Sequence, residues 1–457
     1  MPVPAVDFYS VPIRDRRLIY APLHRLAALV DRNAAEEIRA GVESGASVQG
    51  TIAPILERLR SAGSDPPEHR EGALDDPLFL GLIPTRGCHL GCRYCDFPAS
   101  LPGSPVMALG LARHAIDAYL GLVASHGRDR AEVHFFGGEP FDAEEVVHFA
   151  VEYASMCAAK LGLAIRFEVT TNGAYSETRC EWIADHFDSV VLSLDGPPDV
   201  QDRQRPKLGG GGSSAIVTRS ARILSAGTCE LILRACVAQE SVGRMEETAR
   251  WMGQEFVTST VCFESLVPNP RSEEAGLAPP DPWEFARNFL LASRLLGAKG
   301  IEAVLATADL RSCRAYLCPV GRDALIVSPD GAVDACYLPC ASWRGLDLHL
   351  GSVHGPRIDI DGESLRRVRS LSVLDERLCA DCLCRYHCVG GCRVGHDTGR
   401  PPGEYDAICI QTRIVTFGQL LDRLGQREAV DEWLADRTAL EASVWRPSDR
   451  LFDGSES

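Results

Sequence analysis

Arg86-Gly-Cys-His-Leu-Gly-Cys-Arg-Tyr-Cys-Asp-Phe97 spaces three cysteines as Cys88-x3-Cys92-x2-Cys95. Thiolates at positions i, i+4 and i+7 of a tight loop can converge on one face of an iron–sulfur cluster. A four-iron cluster is closed by four thiolates, so three leave one iron open to another ligand. Zinc is the alternative metal, with His89 as a fourth ligand, but an imidazole directly after Cys88 reaches the same tetrahedron poorly.

A second group of cysteines lies in the C-terminal third of the chain. It reads Cys313-x4-Cys318-x12-Gly331-x4-Cys336, then Cys379-x2-Cys382-x5-Cys388-x3-Cys392, and then Cys409. Eight cysteines can close two clusters completely, and closed thiolate coordination suits electron transfer or structural support. A pair of zinc ribbons is the alternative, since spacing alone does not identify the metal. Cys340 and Cys384 lie among these cysteines and could replace one of them.

Length and charge narrow the class of protein. A chain of 457 residues predicts two or three domains. A net charge of −16 and a pI near 5.3 argue against nucleic-acid binding, which usually needs a basic face. The sequence shows neither a secretory signal pattern nor about 18 consecutive apolar residues, so we expect a cytoplasmic protein without a membrane span. Clustered cysteines in that compartment more often bind metal than form disulfides.

Short β-type runs alternate with amphipathic segments in the middle of the chain. The predicted strands are Pro77–Pro84, Ala131–Phe136, Ala164–Thr170, Ser189–Leu194, Glu230–Val237 and Ser259–Leu266. The predicted helices lie near 106–124, 142–160, 176–187, 214–227 and 241–255. This alternation predicts an α/β fold whose parallel sheet is open or curled into a partial barrel.

Four unusual segments follow four successive predicted strands. They are the cysteine loop, Gly137-Gly-Glu-Pro140, Thr171-Asn-Gly173 and Ser193-Leu-Asp-Gly-Pro197. All four are expected at the C-terminal rim of the sheet, where α/β barrels keep their active sites. The sequence therefore predicts one site that combines the open metal centre with these segments.

The first 75 residues are expected to form a small α+β unit. We predict a hairpin over Phe8–Tyr20 and helices near 32–42 and 51–61, with Asn33 and Thr51 as N-caps. The predicted domains are residues 1–75, the barrel at 76–300, a loop-rich cysteine domain at 301–412 and a helical tail at 413–457.

The first cysteine segment resembles the radical S-adenosylmethionine (SAM) family, whose signature is C-x3-C-x-aromatic-C, with Tyr94 at the aromatic position. The resemblance implies a partial (β/α)6 TIM-like barrel and a 4Fe-4S cluster on Cys88, Cys92 and Cys95. The amino and carboxylate groups of SAM would chelate the open iron. One electron from the cluster would split the sulfonium into methionine and a 5′-deoxyadenosyl radical, which abstracts hydrogen from the substrate.

Other residues match SAM-binding positions of that family. The expected SAM-binding residues are Tyr94, Gly137, Gly138, Glu139, Ser193 and Arg205. The resemblance assigns the glycine-rich segment to the amino group, Ser193 and Arg205 to the carboxylate or ribose, and the backbone of Tyr94 to the adenine edge. Arg203 or Arg219 could take the place of Arg205.

The second cysteine group resembles the SPASM extension of radical SAM enzymes, whose pattern is C-x9-15-G-x4-C, then C-x2-C-x5-C-x3-C, then C. All seven cysteines match, and Cys313 supplies the extra ligand of members with two auxiliary clusters. By this resemblance one 4Fe-4S cluster is held by Cys313, Cys318, Cys336 and Cys392. The other is held by Cys379, Cys382, Cys388 and Cys409.

One departure from the related sulfatase-activating enzymes concerns the catalytic base. In those enzymes an aspartate follows the cysteine that matches Cys336, whereas Tyr337 stands here, so formylglycine formation on sulfatases is disfavoured. Asp334 and Tyr337 are the candidate catalytic proton acceptors, although a packing role explains Tyr337 equally well.

The resemblance favours a peptide-modifying oxidoreductase, because the family most often oxidises or crosslinks ribosomally made peptides. The expected partners are a precursor peptide with a leader and an electron donor of the flavodoxin or ferredoxin type. The N-terminal unit loosely resembles winged-helix leader-recognition modules, or it caps the open side of the barrel. The alternative function is a radical SAM dehydrogenase or epimerase for a small molecule such as an aminoglycoside. A non-catalytic iron–sulfur or zinc scaffold is a third alternative.

Overall fold

The computed structural model describes residues 7–438, apart from 14, 45–49, 62, 64, 96, 98–102, 319, 339–345 and 394–404. Cys340, one of the two cysteines expected to be able to replace a cluster ligand, lies outside the described residues. Within them, no helix is long and apolar enough to cross a membrane.

Strands and helices alternate through the middle of the chain. The strands are β1 Tyr9–Ile13, β2 Arg16–Ala21, β3 Leu26–Asp31, β4 Leu80–Leu82, β5 Arg130–Phe135, β6 Ala164–Thr171, β7 Ser189–Ser193, β8 Glu230–Val237, β9 Thr260–Ser265, β10 Glu302–Val304, β11 Leu325–Val327, β12 Ala332–Asp334, β13 His349–His354 and β14 Arg357–Ile360. The helices are α1 Arg32–Ser44, α2 Ala53–Arg60, α3 Leu109–Ser125, α4 Glu144–Leu161, α5 Glu177–His186, α6 Pro198–Gln204, α7 Ser214–Ala226, α8 Met245–Glu255, α9 Pro270–Glu274, α10 Pro282–Gly297, α11 Gly362–Arg369, α12 Arg385–Cys388, α13 Ala407–Arg423 and α14 Arg427–Ala435.

The main sheet has the order β10-β9-β8-β7-β6-β5-β4-β11-β12-β13-β14. Neighbouring strands are parallel from β10 to β11, and β12, β13 and β14 continue the sheet as antiparallel strands. The six predicted strands correspond to β4–β9, and the five predicted helices to α3, α4, α5, α7 and α8. The predicted α/β fold with its mostly parallel sheet and loop-rich C-terminal region is therefore confirmed.

Buried and partly exposed side chains alternate along β8, a strand in the middle of the parallel part of the sheet. In β8 the side chains of Leu231, Leu233, Ala235 and Val237 are buried, while Ile232 and Cys236 are half-buried. This alternation follows from the two-residue repeat of a strand. One face of β8 is therefore buried, and the other face is partly exposed.

The C-terminal part of the chain joins the sheet at both edges. Leu325 in β11 pairs with Leu80 in β4, and β4 is the strand that precedes the cysteine loop. Glu302 in β10 pairs with Thr260 in β9 at the opposite edge. A strand of the C-terminal region, β11, therefore lies next to the strand that leads into the cysteine loop.

The N-terminal unit is a three-stranded antiparallel sheet, β1-β2-β3, with helices α1 and α2. The predicted hairpin and both helices are present, but β3 was not predicted. Both predicted N-caps are wrong. Asp31 caps α1, since its Oδ1 accepts from the backbone N–H of Ala34 at 2.8 Å. The N-cap of α2 is Ile52, whose side chain makes no capping hydrogen bond.

Candidate cofactor and cluster sites

The cysteine loop is joined to the Gly-Gly-Glu-Pro segment through the backbone. The N–H of Gly138 donates to the carbonyl of Thr85 at 3.1 Å, and that of Glu139 donates to the carbonyl of Gly87 at 2.8 Å. A Cβ on Gly138 would lie 2.0 Å from the carbonyl oxygen of Gly87. Gly137 has φ 145°, and a Cβ there would lie 2.4 Å from the carbonyl oxygen of Thr85. The close approach of these two segments therefore requires both glycines.

Glu139 connects this junction to the Thr-Asn-Gly segment. Its carboxylate accepts from the hydroxyl of Thr171 at 2.9 Å, the N–H of Asn172 at 2.8 Å and the N–H of Phe141 at 3.2 Å. The residue is fully buried, and burial raises the pKa of its carboxyl above the ordinary value. Glu139 therefore ties three of the predicted rim segments together.

Hydrogen-bond donors surround the sulfur atoms of the loop. Asn172 Nδ2 donates to Cys88 Sγ at 3.5 Å, and Arg205 Nη1 donates to Cys92 Sγ at 3.9 Å. Burial raises the pKa of the Cys92 thiol to about 11, and the positive charge of Arg205 opposes that rise. Donors of this kind stabilise a negatively charged sulfur, as a thiolate ligand requires. The chemistry around the loop thus fits a metal-binding role for Cys88 and Cys92.

His89, the residue that a zinc site would require, faces the rim. Its Nδ1 lies 2.7 Å from Asp142 Oδ1, and this hydrogen bond raises the pKa of the imidazole. Nowhere in the described part of the chain do three or more His, Cys, Asp or Glu side chains meet closely enough to hold a single metal ion. A four-iron cluster does not need so close a meeting, because its thiolates bind separate iron atoms.

Asp195 is a central residue of the rim that was not among the expected site residues. Its Oδ2 accepts from the hydroxyl of Tyr94 at 2.7 Å and from Gln204 Nε2 at 2.8 Å. Its Oδ1 accepts from the N–H of Cys236 at 3.0 Å and lies 3.1 Å from Arg205 Nε. Its position in the Ser-Leu-Asp-Gly-Pro segment, directly after a buried strand, was the available signal. Asp195 therefore positions two of the expected SAM-binding residues.

Arg205 is the arginine that reaches the cysteine loop. Its guanidinium carbon lies 5.3 Å from the ring centroid of Tyr94, in addition to its contacts with Asp195 and Cys92. Of the two alternatives, Arg203 is exposed, and Arg219 donates from α7 to the carbonyl of Tyr175.

The other expected SAM contacts lie at the same rim. Ser193 is the last residue of β7 and is half-buried. The carbonyl of Tyr94 accepts from Asn269 Nδ2 at 2.9 Å, so Asn269 holds the backbone that was expected to meet the adenine. Nothing in the local sequence of Asn269 indicated this role, because the contact depends on the path of the chain after β9.

Four cysteines of the second group share one cavity. The cavity is lined by Cys379, Cys382, Cys384, Arg385, Cys388, Gly390, Tyr405, Cys409, Thr412 and Arg413. The structure thus brings together the four cysteines that the resemblance assigns to one cluster. Cys384 faces the same cavity as a fifth.

The other expected set, Cys313, Cys318, Cys336 and Cys392, lies within the described residues. Burial, followed by the negative charge of Cys392, raises the pKa of the Cys318 thiol to about 11. Cys336 is half-buried just after β12. The pKa of the Cys313 thiol is raised, mainly by burial. Of two charged residues in the N-terminal unit, Arg25 opposes this rise and Asp7 adds to it.

Asp334 and Tyr337 have different surroundings. Burial raises the pKa of Asp334, and His349, with Nδ1 at 3.1 Å from Asp334 Oδ1, opposes the rise. The ring of Tyr337 lies 4.7 Å from that of Phe136. A Cβ on Gly81 would lie 2.8 Å from the Tyr337 hydroxyl. Burial raises the pKa of Tyr337 well above its ordinary value, so the phenol keeps its proton at neutral pH.

The N-terminal unit docks on the segment between Cys384 and Cys388. The hydroxyl of Tyr386 donates to Asp7 Oδ2 at 2.6 Å, and Arg385 Nη1 lies 3.7 Å from Asp7 Oδ1. Tyr20 in β2 forms a hydrogen bond with His387 Nε2. These contacts connect the N-terminal unit directly to the wall of the cysteine cavity.

Residues 82–252 match the model of the Radical SAM superfamily. Over this segment, which is less than half of the chain, the sequence is similar to that superfamily.

Solved structures of similar fold cover most of the chain. Native anSMEcpe with bound AdoMet is 18% identical, has a TM-score of 0.57 and covers 79% of this chain and 100% of its own. The same protein with bound AdoMet and the Cp18Cys peptide is 17% identical, with a TM-score of 0.58 and coverage of 79% and 99%. Streptococcus suis SuiB bound to S-adenosylmethionine is 12% identical, with a TM-score of 0.51 and coverage of 85% and 95%. At these identities the similarity shows a shared fold.

Proposed function

We propose that this protein is a radical SAM enzyme with a C-terminal SPASM domain that oxidatively modifies or crosslinks a ribosomally synthesised precursor peptide. The observation that carries the proposal is the three-cysteine loop, which meets the Gly-Gly-Glu-Pro and Thr-Asn-Gly segments and Asp195 on one rim. One iron left open by three thiolates is available to bind SAM. The bound cofactor would supply a 5′-deoxyadenosyl radical that abstracts hydrogen from the peptide.

The residues of the rim have separate roles in this proposal. Cys88, Cys92 and Cys95 hold the SAM-binding cluster. The remaining SAM contacts are Tyr94, Gly137, Gly138, Glu139, Ser193 and Arg205. Asp195 fixes the positions of Tyr94 and Arg205 through one contact with each. Side chains that are held in place before SAM binds favour its binding, because less ordering is needed when the ligand arrives.

The second cysteine group holds two auxiliary 4Fe-4S clusters in the proposed enzyme. Cys379, Cys382, Cys388 and Cys409 hold one, and their common cavity supports that assignment. The other is assigned to Cys313, Cys318, Cys336 and Cys392. Clusters with four thiolates suit electron transfer, and a flavodoxin- or ferredoxin-type protein supplies the electron that starts the reaction.

The N-terminal unit supports a peptide substrate. Strand β3 pairs with β2, and no second partner strand for β3 occurs among the residues that are described. The five residues from Leu26 to Val30 are apolar and half-buried. An extended peptide can add to such an edge through main-chain hydrogen bonds. We assign this edge to the leader of the precursor, and the peptide bound to anSMEcpe agrees with a peptide substrate for this fold.

Asp334 and Tyr337 are the proposed groups for removal of the substrate proton. The two are unequal, because Tyr337 retains its own proton and packs against Phe136. The carboxylate of Asp334 is therefore the stronger acceptor of the two.

The direct test is anaerobic co-expression with short peptides encoded beside the gene, followed by mass spectrometry. We expect one peptide to lose two hydrogens and 5′-deoxyadenosine to form in proportion. With a peptide deuterated at the reacting carbon, deuterium should appear in the 5′-deoxyadenosine. The triple variant Cys88→Ala, Cys92→Ala, Cys95→Ala is the control and should give neither product.

Two results would contradict the proposal. Unchanged peptides together with 5′-deoxyadenosine formation on an aminoglycoside-type small molecule would favour the dehydrogenase or epimerase alternative. Absence of SAM cleavage from a fully reconstituted protein under reducing conditions would favour a non-catalytic scaffold. A peptide without its leader should be modified with a lower kcat/KM, and an equal kcat/KM would refute leader binding by β3.

A further inference from the structure

Arg413 is a buried arginine in the wall of the cysteine cavity. It lies on α13 one turn after Cys409, and it is 1% exposed. Its Nη1 donates to Cys382 Sγ at 3.3 Å. Two residues that the resemblance assigns to one cluster, Cys382 and Cys409, are thus joined to the same arginine, one through a hydrogen bond and one through the helix.

Two aromatic rings hold the guanidinium in place. Its central carbon lies 4.8 Å from the ring centroid of Tyr405 and 5.7 Å from that of Phe417. Contacts of a guanidinium with aromatic faces are favourable, especially away from water. The donor that points at Cys382 is therefore fixed by packing rather than free to move.

The electrostatics of the cavity match this arrangement. Away from water, a hydrogen bond from a guanidinium to a thiolate is stronger than in bulk solvent. A four-iron cluster with four thiolates carries net negative charge in both of its oxidation states and becomes more negative on reduction. A hydrogen-bonded cation stabilises the more negative state more strongly, and hydrogen bonds to the sulfurs help to set the potentials of such clusters.

We propose that Arg413 is a positioning residue that donates to the Cys382 thiolate of an auxiliary cluster and raises the reduction potential of that cluster. The inference rests on the proposed function, because the cavity must hold the cluster. The cluster beside Arg413 would then accept an electron more readily than it would without the arginine.

The test is a redox titration followed by electron paramagnetic resonance on the anaerobically reconstituted full chain. The triple Cys88→Ala, Cys92→Ala, Cys95→Ala background removes the SAM-binding cluster and simplifies the spectrum. Into it we introduce Arg413→Gln, which removes the charge, and Arg413→Lys, which keeps a charge without the forked donor. Arg427→Gln, at an exposed position at the start of α14, is the matched control.

We expect Arg413→Gln to lower the midpoint potential of one cluster, Arg413→Lys to lower it less, and Arg427→Gln to leave it unchanged, with the iron content the same in all. An unchanged midpoint in Arg413→Gln with full iron would overturn the inference. If Arg413→Gln loses iron, Arg413→Lys decides, because an unchanged midpoint there also overturns it. Loss of the cluster from both variants would show that Arg413 retains the cluster rather than tunes it. Absence of auxiliary iron from the unsubstituted chain would instead refute the proposed cluster site.

Discussion

The rim and the cysteine cavity both bring thiols together, but they do so by different means. At the rim three cysteines lie in one loop, and backbone hydrogen bonds from Gly138 and Glu139 hold that loop against the next strand end. In the cavity the cysteines come from separate turns and from α13, and side chains such as Arg413 and Tyr405 close the wall. The rim therefore depends on local backbone geometry, whereas the cavity depends on long-range packing.

This difference determines how each region responds to substitution. The rim is held by backbone hydrogen bonds, so an added Cβ at one of its glycines should distort it, because the neighbouring carbonyl oxygens cannot move away easily. A cavity built from side chains fails when a ligand or a packing residue is removed. The two regions should therefore be separable by experiment. SAM cleavage reports on the rim, whereas the iron that remains without the rim cysteines reports on the two auxiliary clusters.

The largest expected effect is on the rim itself. Replacing Cys88, Cys92 and Cys95 together by alanine should remove about a third of roughly twelve iron atoms, if three four-iron clusters are present. All SAM cleavage should disappear, while the iron bound by the C-terminal cysteines remains. Iron analysis measures the iron content, and chromatography of 5′-deoxyadenosine measures SAM cleavage. Surviving cleavage would show that the open cluster lies elsewhere.

A single methyl group at the rim should have the next largest effect. Gly138→Ala places a Cβ 2.0 Å from the carbonyl oxygen of Gly87 and must push the cysteine loop away. We expect SAM cleavage to fall by about 100-fold, because displacements of about 1 Å cost that much in well-aligned sites. Gly121→Ala is the control, since a Cβ there meets nothing and alanine favours helix α3 by about 0.5–1 kcal/mol. Equal activities in both variants would refute the backbone account of the rim.

Asp195 tests whether the rim also depends on a buried ion pair. The side chain of Asp195 is 0% exposed and that of Arg205 is 12% exposed. Breaking a buried pair from one side costs about 3–5 kcal/mol, so Asp195→Asn should lower the free energy of unfolding by that order. Asp199→Asn removes a pair with Arg244 in which the aspartate side chain is 55% exposed, and it should cost about 0–1 kcal/mol. Anaerobic urea denaturation compares the two, and similar costs would contradict a special role for Asp195.

The two regions also differ in how far the sequence predicts them. The strands β4–β9 were predictable because buried parallel strands are apolar runs followed by turns, and the rim segments mark their ends. Asp195 and Asn269 were missed, because their contacts with Tyr94 join residues far apart in the chain. The cysteine spacing indicated ligands, but it contained no information about Arg413, whose approach to Cys382 depends on how α13 packs.

The N-terminal unit shows the same limit at smaller scale. Its two helices were predicted near 32–42 and 51–61, but β3 was not predicted, because its half-buried apolar residues lack alternation. Asn33 and Thr51 looked like N-caps in the sequence, yet Asp31 caps α1, two residues before Asn33. A cap is set by where the chain leaves its strand, and that point follows from the pairing of β3 with β2.

Asp334 and Tyr337 are the proposed proton acceptors, so their substitution tests product formation apart from SAM cleavage. Asp334→Asn should leave 5′-deoxyadenosine formation intact and reduce modified peptide, because the proton acceptor is lost. Tyr337→Phe keeps the packing against Phe136 and should leave product formation almost unchanged, because the phenol retains its own proton. Loss of product only in Tyr337→Phe would reverse the assignment.

The smallest expected effect concerns Cys384, the fifth cysteine of the cavity. Cys384→Ala should keep all the iron, because the resemblance assigns the four ligands to other residues, and the buried thiol then behaves as a small hydrophobic side chain. Cys382→Ala is the matched control and should lose about four iron atoms, since it removes an assigned ligand. Iron analysis of the two variants, both purified without oxygen, decides between them. If Cys384→Ala loses the iron and Cys382→Ala retains it, Cys384 is the ligand. The hydrogen bond from Arg413 would then reach a thiol that does not bind the cluster. The fourth ligand of the cluster would be Cys384, a residue that the spacing pattern does not include.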